Sequence, residues 1–134
     1  MVERELQDAR LKAVSSNRVI RVRMNCPSTG YIRSVEVLGN GVDTDINRCM
    51  TTAYPFPPLD DDIMTRPNFD GPVRTLPNSA TVTSDVVQFS PDGTAASVVS
   101  GVPTTLGQPL TITISRQSKS KTVTVNNAGK VQLQ

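Results

Sequence analysis

The sequence predicts an α+β fold, with one N-terminal helix packed on antiparallel β-sheet and a long proline-rich surface loop. Three observations point to it. Residues 2–16 carry a helical apolar period, most of the remainder alternates apolar and polar with period two, and six of the ten prolines fall between Pro55 and Pro77. At 134 residues the chain fits one domain, 1–134, with a small core.

The helix comes first. Val2, Leu6, Ala9 and Ala13 recur at spacings of four, three and four, placing one apolar stripe along one face, which Leu11 and Val14 are expected to widen. Glu3 and Glu5 lie in the first turn and Arg10 and Lys12 in later turns, as the helix dipole prefers. A helix over 2–16 is about 22 Å long, marginal by itself, so it must dock on something. Ser15-Ser16-Asn17 breaks the period and closes a helical segment 1–17.

Segment 18–42 holds the first strands. Ile20, Val22 and Met24 face one way, with Arg21 and Arg23 expected on the opposite, outward face. In 31–38, Val35 and Val37 alternate with Ser34 and Glu36, and Asn40-Gly41 marks a turn. The last segment, 81–134, reads as an antiparallel meander. Its strands are 84–89, 95–99, Leu110–Ile114 and Thr122–Val125 across a polar turn 115–121, then a final strand with Val131 and Leu133 after the turn Asn126–Gly129.

Segment 43–80 interrupts this pattern. Prolines every few residues deny both helix and sheet interior, and Asp43, Asp45, Asp60, Asp61, Asp62 and Asp70 stand against Arg48 and Arg66. It reads as a surface insertion, pinned by Tyr54, Phe56 and Phe69 acting as plugs; loops of this length are usually functional or disordered.

Composition narrows function. There is no His and no Trp, which removes the commonest general base, the Ser-His-Asp and Cys-His arrangements and every His-containing zinc site. Asp43-Thr44-Asp45-Ile46-Asn47 opens like an EF-hand loop, but Arg48 stands where glycine is needed and Tyr54 where the bidentate acid belongs. Asp60-Asp61-Asp62 offers oxygens to a cation but is the kind of run that solvent satisfies. The expectation is therefore no enzyme, no cofactor and no metal site. No run approaches the ~20 apolar residues that span a bilayer, and Met1–Leu6 has no apolar signal-peptide core.

Two further features have competing readings. Cys26 and Cys49, in polar turn-rich surroundings, read as a disulfide tying a loop to a sheet, which implies an oxidising compartment; the alternative is two free buried thiols. Net charge is only +2, yet from Arg116 onward Arg116, Lys119, Lys121 and Lys130 appear with no acid. These are either edge and turn cations that discourage strand-to-strand aggregation or a phosphate-contacting stripe for DNA, without an aromatic residue to stack a base.

Three patches together resemble the soluble part of type IV pilin-like proteins, in particular the minor-pilin and minor-pseudopilin group typified by the fimbrial T-type and secretion H-type proteins. They are Asp8-Ala9-Arg10-Leu11-Lys12-Ala13-Val14, similar to an Ala-Arg-x-x-Ala-Val helix pattern; Val87-Gln88-Phe89-Ser90-Pro91-Asp92-Gly93-Thr94, similar to a strand-and-turn; and Leu110–Ser115 with Lys121–Val131, similar to a closing hairpin. They cover about half the chain, in order. The resemblance implies a methylated hydrophobic N-terminal half-helix ahead of this sequence, with 2–16 as the second half of a pilin spine. It implies a structural subunit of the bacterial inner membrane and periplasm that primes or caps a type IV pilus or a type II secretion pseudopilus. Its partners would be other major or minor pilins or pseudopilins, with no small-molecule substrate. The helix, through Val2, Leu6, Ala9 and Ala13, is then the expected assembly element, and loop 43–80 a partner surface. Some fimbrial T-type members bind DNA through a Gly-Arg-x-Arg-like tail; the matching Gly129-Lys130-Val131-Gln132 carries over Lys130 alone. A secreted β-rich binding module unrelated to pili is the remaining alternative.

Overall fold

A computed structural model describes residues 1–26, 28–39, 41–56 and 69–133, with only the backbone of Asn78. The helix α1 spans Val2–Ser16 and ends where Asn17 turns left-handed (φ 58°, ψ 43°), its N–H returning to the Ala13 carbonyl. Val2, Leu6, Ala9 and Ala13 are buried. Leu11 and Val14 do not widen the stripe: they stand 67% and 47% exposed. Leu11 is two residues from both Ala9 and Ala13, about 200° around the helix, and so lies on the opposite face.

The strands are β1 (Ile20–Met24), β2 (Tyr31–Glu36), β3 (Arg74–Thr75), β4 (Thr81–Thr83), β5 (Val86–Phe89), β6 (Ala95–Val99), β7 (Val102–Thr105), β8 (Leu110–Arg116), β9 (Lys119–Val125) and β10 (Val131–Leu133). They form two antiparallel sheets, one ordered β3-β2-β1-β5-β6-β7 and the other β10-β9-β8-β4. The helix contacts β1, β5 and β10 and so bridges both sheets. One core results, in which Leu6, Ala9 and Ala13 meet Ile20, Val22, Val87 and Phe89 of the first sheet and Ile112, Val123 and Val125 of the second. This burial is what stabilises a helix too short to persist alone.

The meander expected at the C-terminus is present as β8-β9-β10. Its first turn is tighter than the polar run 115–121 suggests: β8 and β9 pair from Leu110↔Val125 to Arg116↔Lys119, leaving Gln117-Ser118 as the turn, with Gln117 at φ 57°. Strands β3, β4 and β7 lie where no clean alternation announces them. They are short or proline-containing edge elements, and β7 tolerates Pro103 because it borders the sheet. The 43–80 insertion carries 3-10 turns at Gly41–Thr44, Ile46–Cys49 and Pro77–Ser79, and returns to the sheet through β3. Asn40 of the expected Asn40-Gly41 turn lies outside the described residues.

Candidate functional site

The face of β1 away from α1 was expected to be solvent-facing, and it is not. Arg21 is 5% exposed and donates from Nε to Gln88 Oε1 at 2.9 Å; Arg23 is half-buried and donates to the Asp45 carbonyl at 2.8 Å. The insertion covers this face. Arg33, on β2 opposite Arg23, is wholly buried and fans out to the carbonyls of Gly71, Arg48 and Tyr54 at 2.7, 2.8 and 2.8 Å. Arg48, also wholly buried, pairs with Asp70 at 2.9 Å and Asp43 at 3.6 Å and donates to the Glu36 carbonyl. The described part of this irregular segment is thus held by guanidinium forks, which suit carbonyl and carboxylate acceptors at several angles. Burial is the main cause that pulls the pKa values of Arg21, Arg23 and Arg33 below the usual arginine value, while arginine remains charged at any physiological pH.

The acids of the insertion have structural tasks. Asp43 accepts from the Leu38 and Gly39 N–H groups, both at 2.7 Å, and Asp45 caps its 3-10 turn by accepting from Asn47 N–H at 2.9 Å. Asp70 accepts from Glu36 N–H at 2.8 Å, where Gly71 N–H also reaches the Ser34 carbonyl. Together Asp70 and Gly71 satisfy the edge of β2 beyond its short pairing with β3. Among the described residues no group of acids and cysteines is placed to hold a metal; Asp60-Asp61-Asp62 and Arg66 lie outside the described residues. Of the three expected plugs, Phe69 packs against the core beneath Arg18 (5.1 Å to the ring centre) and Tyr54 lies against Arg48 (5.4 Å), whereas Phe56 is 50% exposed. Cys26 and Cys49 form a disulfide with a Cα–Cα distance of 5.1 Å, fastening the second 3-10 turn to the end of β1.

The three patches that carry the pilin resemblance meet at one side chain. Arg10 of α1 donates from Nε to the Gly93 carbonyl at 2.9 Å and from Nη2 toward the Ala128 carbonyl at 3.5 Å. Gly93 sits in the β5–β6 turn and Ala128-Gly129 in the β9–β10 turn, and Ala95 N–H bonds the Asn127 carbonyl at 3.0 Å. One helix arginine therefore ties together turns from both sheets. Glu5, in the first turn of α1, is largely covered and pairs with Arg74 at 3.2 Å.

The four helix residues Val2, Leu6, Ala9 and Ala13 are spent on the chain's own core, so the helix face left outward is the one bearing Leu11 and Val14. Of the four basic residues, Arg116, Lys119 and Lys121 are brought together around the β8–β9 turn, while Lys130 sits beside Asn126 at the far end of β9. At ~3.3 Å per residue, Lys130 is about 16 Å from Lys121 along the strand and further from Lys119. The three grouped cations border a groove of about 510 Å³ whose floor includes Leu76, Ile114 and Val123, a feature absent from any local sequence pattern.

Solved structures of a minor pilin and of a minor pseudopilin share this fold. The type IV minor pilin FimU of Pseudomonas aeruginosa aligns over 99% of this chain and 86% of its own at 16% identity with a TM-score of 0.55; a second crystal form gives 0.58 over 82% of that chain. The minor pseudopilin EpsH from the type 2 secretion system of Vibrio cholerae aligns over 99% of this chain and 90% of its own at 14% identity, TM-score 0.54. At such identities these likenesses show the fold. No curated protein sequence matches the chain. The family model described as type II transport protein GspH matches residues 2–129, nearly the whole chain, and the chain belongs to that family.

Proposed function

We propose that this protein is a minor pilin or pseudopilin that primes or caps a pilus or secretion pseudopilus through contacts with other pilin subunits. One observation carries the reading. The helix α1 is buried on one side against both sheets, yet keeps Leu11 and Val14, one helical turn apart, exposed on the other. An outward apolar pair on an otherwise charged helix fits packing against a neighbouring helix. The family and fold are those of structural pilins, and no His or metal-ready cluster among the described residues suggests catalysis. No helix among the described residues is long and apolar enough to cross a membrane. In this reading, as the resemblance to type IV pilins implies, membrane attachment on the periplasmic side is the task of a hydrophobic segment ahead of α1.

The reading is tested by deleting the gene and complementing it with the wild type or with Leu11→Glu plus Val14→Glu. Complementation by the wild type alone, with the double variant still folded, supports it. Full complementation by the double variant, or no assembly defect on deletion, overturns it.

A further inference from the structure

The inner face of the second sheet changes character along its length. Strand alternation puts Leu110, Ile112, Ile114 and Arg116 on one face of β8, opposite Val125, Val123, Lys121 and Lys119 of β9. The first two rows are apolar and join the core beneath α1. The next two pairs, Ile114 with Lys121 and Arg116 with Lys119, lie along the groove at the N-terminal end of the helix, next to Met1, Val2 and Glu3. An inward-facing sheet position ordinarily takes an apolar residue, and here three cations occupy such positions. All three are exposed, and no ion pair engages them among the described residues; Glu3 is the one acid lining the groove. Beside them stand apolar groups that solvent reaches, Met1 at 45% and Leu133 at 50% exposure.

An occupant must answer both the charge and the apolar floor. A nucleic-acid backbone answers only the first: the three cations end within one hairpin, Lys130 is far from them, and no aromatic side chain lines the groove. An anionic amphiphile answers both, its headgroup meeting the cations and its upper acyl carbons meeting Leu76, Ile114 and Val123.

We propose that the groove bordered by Arg116, Lys119 and Lys121 docks onto anionic phospholipid, holding the domain against a membrane surface at the N-terminal end of α1. This rests on the reading above, in which α1 continues a membrane-inserted helix and so points this end at the bilayer. It adds a second, reversible contact, one that keeps a subunit seated at the membrane before it joins a filament.

The test needs only the 134-residue chain and vesicles. Co-sedimentation is measured with phosphatidylcholine vesicles with and without phosphatidylglycerol, at low and high salt. The chain is expected to bind the phosphatidylglycerol vesicles, more weakly at high salt. Since each cation near an anionic surface contributes about fivefold to partitioning, Arg116→Gln with Lys119→Gln and Lys121→Gln should lower binding about a hundredfold, while Lys130→Gln should leave it within about fivefold of wild type. All four side chains are exposed, so an unchanged thermal transition verifies folding. Absence of binding, equal binding to the two vesicle types, or an unaffected triple variant overturns the proposal. So does uptake of a soluble acidic amphipathic peptide without vesicle binding, which makes the occupant a protein segment. None of these outcomes bears on the subunit role, which is read from assembly in cells.

Discussion

Arg10 on the helix donates to the carbonyl of Gly93, in a turn 83 residues away, and Gly129 lies against both. This contact explains why three separate sequence patches belong together. A Cβ at Gly129 would run into the Gly93 carbonyl oxygen and stand 2.6 Å from Arg10 Nε, and Gly129 has φ 86°, which side-chain-bearing residues adopt at a cost. Gly129→Ala is therefore expected to destabilise by more than about 3 kcal/mol, through combined clash and backbone strain. Arg10→Ala should cost about 1–2 kcal/mol, the loss of a charged donor from part-buried carbonyls. Chemical denaturation of both variants checks the order; equal costs would remove the steric role of Gly129.

The buried ion pair Arg48–Asp70 should behave differently from a surface pair. Removing one partner leaves a charge in the interior, so Asp70→Ala or Arg48→Met is expected to cost about 3–5 kcal/mol. The pairing of Arg74 with Glu5 keeps its arginine 54% exposed, and Arg74→Ala should cost under about 1 kcal/mol. Equilibrium unfolding of the three variants measures the contrast.

Reducing Cys26–Cys49 releases a constraint across a separation of 23 residues. In the chain-entropy account this lowers stability by about 3 kcal/mol. Thermal unfolding with and without reductant measures it, with Cys26→Ala plus Cys49→Ala reproducing the reduced value; an unchanged transition would show the bridge to be stabilising nothing.

Lys12 supplies a pH test. Desolvation by burial is the leading cause that lowers its pKa from 10.5, against partial compensation by Asp70, while its ammonium donates to the Phe69 carbonyl at 3.3 Å. Because the folded state holds this proton less tightly than the unfolded state, stability should rise with pH through the window from the lowered value up to 10.5. Lys12→Met removes that contribution. The difference in unfolding free energy between wild type and variant should therefore shift toward the wild type as pH rises through that window; a difference independent of pH would contradict the shift.

The helix, the disulfide and the C-terminal meander are legible in the sequence because each rests on local signals: a stripe at 2, 6, 9 and 13, two thiols in turn-rich flanks, and clean alternation in 110–114 and 122–125. Arg21 and Arg23 mislead because alternation records only that they oppose the apolar face. What meets them comes from residues far along the chain, Gln88 at Arg21 and Asp45 with the turn around it at Arg23, and no local pattern announces that cover. Leu11 and Val14 mislead for a simpler reason, apolar character without the right angle. The Arg10 contact was visible as words in three patches, but the reason those words recur is tertiary. The groove beside Arg116, Lys119 and Lys121 became visible only when register set them on the inner face of the sheet.

The basic residues also bear on DNA. With Arg116, Lys119 and Lys121 at one end of β9 and Lys130 at the other, duplex binding should be weak and vanish at moderate salt, and Lys130→Gln should change it little. Electrophoretic mobility shift across a salt series checks this; tight binding that depends on Lys130 would favour a DNA-uptake role instead.

The central claim, that this is a pilin subunit acting through its outward helix face, is tested most directly by photocrosslinking. A photoreactive amino acid is placed at Leu11 of the full-length protein in its native cells, and the crosslinked partner is identified by mass spectrometry. The account predicts a pilin or pseudopilin subunit, captured at position 11 and not from a control position on the buried stripe such as Ala13. Crosslinks that never include a pilin-like partner, in cells that assemble the filament, would contradict it.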